Sequence, residues 1–145
     1  MPVPISKKLA ATCQDNAERL RWLNRLPEVL DSLQQRWSLK LEDPFDSDEV
    51  SCAWVATAAF EDGTTAVLKL GMPHTEAEHE IEGLRFWAGN PTVHLFAADV
   101  ELGAMLLERC EPGTALRGLP ETEQDIVTAS LLRRLWRSPP APHPF

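Results

Sequence analysis

Two β-compatible runs, VSCAWVATAAF over residues 50–60 and TAVLKLG over 65–71, are separated only by Glu61-Asp62-Gly63-Thr64. Asp-Gly between such runs marks a tight hairpin, because the turn needs backbone with positive φ, which glycine adopts at no steric cost. The spacing predicts an antiparallel hairpin over 50–71, and the rest of the chain has to pack around it.

The flanking segments read as follows. Leu26, Val29, Leu30, Leu33 and Trp37 recur at helical spacing, so residues 15–38 are predicted helical, with Pro27 either opening a second helical piece or marking a kink. Residues 39–47 start extended and turn at Asp43-Pro44. Thr75 and Glu78 have capping-box spacing, which starts a helix at Thr75; Gly89-Asn90-Pro91 stops it after about Ala88. Two further strands, 93–100 and 104–109, flank a turn at Leu102-Gly103. Glu111-Pro112-Gly113 breaks the second, and a last helix runs over 121–136 after Pro120. The fold class is α+β: an antiparallel sheet with a covering helix, plus N- and C-terminal helices. The tail SPPAPHPF places four prolines in eight residues, which excludes helix and central strand and reads as a linker.

Composition narrows the function classes. A chain of 145 residues is one domain by length. Its net charge of −8 gives no basic stripe for nucleic acid and no polybasic membrane patch. Cys13, Cys52 and Cys110 are too few and too scattered for a disulfide framework or a zinc site, and are expected to be reduced, mostly buried thiols. Lys7 and Lys8 are followed by no long apolar run, and no run approaches ~20 apolar residues. A soluble, cytoplasmic protein is expected.

The chemistry concentrates at one lysine and one glutamate. Lys69 is the only basic residue on its strand and is flanked by Val67, Leu68 and Leu70. The following helix carries Glu76, Glu78, Glu80 and Glu82. At about 100° per residue, Glu80 falls inside the apolar arc between Trp87 and Leu84, Glu78 and Glu82 fall on the far side, and Glu76 falls at the rim. A carboxylate in an apolar stripe is costly unless paired, and Lys69 is the candidate partner. Such a pair can hold an ammonium where an anion binds; the other reading is a charged edge strand beside a solvated helix face. His74, His79, His94 and His143 are isolated and read as surface or packing histidines.

AVLKLG followed by EHEIEGLRFW and then GAMLLERCEPGTAL resembles the N-terminal lobe of the aminoglycoside and hydroxyurea antibiotic-resistance kinases, the group that includes the streptomycin phosphotransferases. The resemblance spans roughly residues 15–145. It implies a protein-kinase-like lobe over residues 1–113 and, over 114–145, the start of a crossing to a C-terminal lobe that the chain lacks. By position, Lys69 resembles the strand lysine that holds the α- and β-phosphates of ATP, and Glu80 the glutamate that orients it. Val67 resembles part of the apolar lid over the adenine. Glu108 to Glu111 resembles the hinge, with backbone groups of Glu108 and Cys110 facing the adenine edge. The implied partners are a nucleotide and a small-molecule antibiotic acceptor, and the implied cofactors are ATP and Mg.

Two departures qualify the likeness. The turn DPFDSDEVS has no glycine, so Asp46, Ser47 and Asp48 would have to serve as the phosphate loop. The chain also has no His-x-Asp sequence, and the family's base and metal-binding aspartates sit on the C-terminal lobe. No catalytic residue and no magnesium ligand is therefore expected within the chain, which reads as a truncated kinase, inactive by itself. The last helix would then expose Leu131, Leu132, Leu135 and Trp136 as an apolar patch. The alternative is a non-enzymatic acidic α+β interaction module in which Lys69–Glu80 is structural.

Overall fold

A computed structural model describes residues 3–45, 51–74 and 77–143, with the Glu78 side chain excepted. The phosphate-loop candidates Asp46, Ser47 and Asp48 and the Thr75–Glu78 capping box lie outside the described residues.

The hairpin forms where the sequence places it. Strands β2 (Ala53–Phe60) and β3 (Thr65–Gly71) pair antiparallel. Gly63 takes φ +83°, and Asp62 Oδ1 accepts from the Thr64 N–H at 2.9 Å and its hydroxyl at 2.6 Å. Around this hairpin the sheet completes as β1 (Leu39–Pro44), β2, β3, β5 (Ala104–Glu108) and β4 (Leu95–Asp99), antiparallel throughout. Residues 39–44 are thus a paired strand, although Asp43-Pro44 reads as a turn; Pro44 is tolerated at an edge strand's end.

Two helices precede the sheet. Helix α1 (Lys7–Cys13), which the sequence reading does not contain, is capped by the Ser6 hydroxyl, which accepts from the Leu9 N–H at 3.1 Å. Helix α2 (Ala17–Trp37) is capped by Asn16 Oδ1, which accepts from the N–H groups of Glu18 and Arg19. Pro27 lies inside α2, which continues through it as one helix. The main core joins Leu9, Leu26, Leu30 and Leu33 of these helices to Ala56, Ala58, Ala66, Leu68, Leu70 and Leu106 of the sheet. Alanines at the strand centres let the helix leucines sit close to the sheet.

Strand alternation sends the other residues to the opposite face. Cross-strand register aligns Val55, Lys69 and Met105 in one row and Thr57, Val67 and Leu107 in the next. Helix α3 (Ala77–Trp87) packs against β4, with Ile81 and Gly83 buried. Helix α4 (Glu121–Leu135) follows a short 3-10 turn at Leu116–Gly118 and is exposed along most of its length.

Two of the three thiols depart from expectation. Cys13 is buried, and burial pushes its thiol above the ordinary range, so it stays protonated. Cys52 and Cys110 are exposed, because one precedes β2 and the other follows β5 into the turn. Among the described residues no helix is long and apolar enough to cross a membrane.

Candidate functional site

A cavity of about 740 Å³ opens between the sheet and α3. Ala53 and Val55 of β2, Lys69 and Gly71 of β3, and Glu80, Leu84 and Trp87 of α3 line it. Gly71 tightens one end: its N–H donates to the Gly103 carbonyl at 3.0 Å, and a Cβ there would lie 3.7 Å from Ala77 Cβ.

Lys69 projects from the centre of β3 into this cavity, and its Nζ lies 2.5 Å from Glu80 Oε1. The helical-wheel choice among four glutamates therefore coincides with the geometry. Glu82 instead sits on an exposed face, 3.9 Å from His79 Nδ1. The Lys69 and Glu80 side chains are 28% and 32% exposed, so the pair is wetter than a carboxylate in an apolar stripe suggests. A pair this open contributes at most about 1 kcal/mol to stability. What it does instead is geometric: it fixes a cation at a stated point in the cavity wall, where phosphate oxygens can be held.

Val67 lies one row along on the same face as Lys69, half-buried between Thr57 and Leu107. Glu108 ends β5 and Cys110 follows two residues later; both are exposed, and neither they nor Val67 line the cavity at Lys69. The Glu108 N–H already donates to the His94 carbonyl at 2.9 Å, and its carboxylate accepts from the His94 N–H. The Glu108 N–H is thus engaged by the chain itself.

The cavity also gathers residues that the sequence reading did not select. Ser51, Cys52, His74, His79, Trp87 and Thr92 also line it. The Thr92 hydroxyl is buried and has no hydrogen-bond partner among the described residues, which leaves a polar group on the wall. No short-range signal marks Thr92; it reaches the cavity because α3 stops at Gly89 and the chain turns back. Among the described residues, no group of three or more His, Cys, Asp or Glu is placed to hold a metal ion.

Comparison with known proteins carries the reading further. The chain is 34% identical over 143 residues to a streptomycin 6-kinase of Streptomyces glaucescens, a match covering 98% of this chain and 45% of that protein. It is 38% identical over 122 residues to a streptomycin 6-kinase of Streptomyces griseus, covering 83% of this chain and 39% of the relative. A hydroxyurea phosphotransferase of Kitasatospora aureofaciens is 36% identical over 113 residues, covering 76% of this chain and 33% of that protein. The chain thus spans less than half the length of these relatives. No solved structure matches it. Residues 36–145 match the family model described as aminoglycoside/hydroxyurea antibiotic resistance kinase, and the chain belongs to that family.

Proposed function

We propose that residues 1–113 form the nucleotide-binding lobe of a small-molecule kinase, and that 114–145 begin the crossing to a second lobe. The acceptor would be a hydroxyl group of an aminoglycoside-like or hydroxyurea-like compound, in line with what the named relatives act on. The observation that carries this reading is the Lys69–Glu80 pair, set between a sheet strand and the next helix at the wall of an open cavity. In this reading Lys69 holds the α- and β-phosphates, Glu80 orients Lys69, and Val67 with the Glu108–Cys110 segment meets the adenine. ATP supplies the phosphoryl group when bound. No base aspartate follows a histidine anywhere in the sequence, so the 145 residues alone are expected to transfer no phosphate.

The test is a nucleotide-dependent thermal shift. At ATP ten times its Kd the folded state gains about 1.4 kcal/mol, which raises Tm by about 3–6 °C. Lys69→Ala removes the shift, yet costs no more than about 1 kcal/mol of stability because the pair is partly solvated. An equal shift in wild type and Lys69→Ala would instead favour a structural ion pair in a non-enzymatic module.

A further inference from the structure

Segment 87–92 serves two surfaces at once. Trp87 and Thr92 line the Lys69–Glu80 cavity. Between them, the same short stretch is gripped by the end of α4. The Trp87 indole N–H donates to the Leu135 carbonyl at 3.1 Å. Arg134 Nε donates to Asn90 Oδ1 at 3.1 Å, and its Nη2 donates to the same oxygen. Arg137 Nη2 donates to the Asn90 carbonyl. Four hydrogen bonds thus join the turn at the C-terminus of α3 to the end of α4 and the residue two beyond it, three donated by Arg134 and Arg137 and one by Trp87, although α4 is otherwise exposed.

The sequence separation of 44–48 residues makes this a tertiary clamp rather than a local cap. Glu80 lies two turns before Trp87 on the same α-helix, which is stiff over that length. A stiff helix between the two points gives a displacement of the gripped turn a direct route to Glu80.

We propose that Trp87, Asn90, Arg134 and Arg137 form a positioning latch that sets α3, and with it Glu80 and the cavity wall, in the orientation that binds nucleotide. The proposal rests on the nucleotide-lobe reading for its affinity readout and on nothing but geometry for its second readout. The latch couples the position of α4 to the cavity, so whatever docks on α4 also tunes the site.

The experiment compares the wild-type chain with Asn90→Ala, Arg134→Ala, Asn90→Asp and, as a control on an exposed neighbour, Arg133→Ala. Two quantities are measured: the Kd of a non-hydrolysable ATP analogue, and the NMR cross-peaks of the Trp87 indole and the Lys69 and Glu80 amides without nucleotide. Asn90→Ala and Arg134→Ala are expected to weaken binding about fivefold and to move all three signals. Asn90→Asp keeps the oxygen and is expected to restore both, and Arg133→Ala to change neither. If Asn90→Ala fails to fold, Arg134→Ala decides. Unmoved Lys69 and Glu80 signals overturn the latch, as does unchanged affinity or a loss that Asn90→Asp does not repair. If the wild type binds no nucleotide but the signals move and recover as expected, the latch stands and the nucleotide reading falls.

Discussion

Gly89 is constrained both by its backbone and by a neighbouring ring. It follows α3 at φ +78°, after Ala88 at φ +49°, so the helix ends through two left-handed residues. A Cβ on Gly89 would lie 2.2–2.5 Å from ring atoms of His94. Two costs then add in Gly89→Ala. Left-handed backbone costs a residue with a side chain roughly 1–2 kcal/mol, and the His94 imidazole has to move aside from the new Cβ. Urea unfolding is expected to show a loss of at least about 1 kcal/mol with an unchanged m-value. The sequence announces this residue plainly, since Gly-Asn-Pro after an apolar-periodic run is a stop signal. Glu80 is legible for the same reason, because helical geometry separates it from its neighbouring glutamates. Trp87 is legible only as an apolar residue, and Thr92 not at all: their roles depend on how the chain folds back after Gly89, a long-range fact that no local spacing encodes.

Among elements, the link between α2 and β4 is the clearest case of charge used for registration. Arg36 Nη1 lies 2.5 Å from Asp99 Oδ2, and Asp99 Oδ1 accepts from the Leu102 N–H at 2.9 Å. Partial burial by itself raises the Asp99 carboxyl, but the Arg36 bond and the backbone N–H groups of Leu102 and Glu101 outweigh it and hold the group below its ordinary range. A carboxyl depressed in the folded state adds stability above its unfolded pKa and loses it as pH falls through the folded value. Arg36→Ala should therefore cost about 0.5–1 kcal/mol near neutral pH, Arg36 being largely solvated. The cost should shrink as pH falls through the depressed folded value and vanish below it, as read from urea unfolding carried from neutral pH to well below the ordinary carboxylate range. Most elements around this link are readable from sequence: β3 and α4 fall within a residue of their expected bounds. Helix α1 is not, since seven residues with only Leu9 and Cys13 buried offer too short a period. At Pro27 only one of the two readings is set aside, that of a second helical piece: α2 is one helix, and burial of Leu26, Leu30 and Leu33 on one stripe holds it together across a missing N–H.

At the scale of the whole molecule the imbalance is between a well-covered sheet and an uncovered last helix. Alpha-helix α4 leaves Ile126 65%, Leu132 45% and Trp136 78% exposed, with Leu116 and Leu119 exposed just before it. Burying one such side chain contributes about 1.5–3 kcal/mol, so several together drive association even against the mutual repulsion of chains carrying a net charge of −8. The chain is therefore expected to self-associate as its concentration rises, which sedimentation velocity measures directly. The double substitution Ile126→Gln with Leu132→Gln leaves the net charge unaltered and avoids the groups that grip Asn90. It should keep the chain monomeric over the same concentration range, with an unfolding free energy within about 0.5 kcal/mol of wild type because both side chains are exposed. A drop larger than that would mean these side chains pack within the monomer. Unchanged association would place the contact elsewhere, and the first surface to examine would then be the β1 edge, whose outer row of backbone groups no other strand pairs among the described residues.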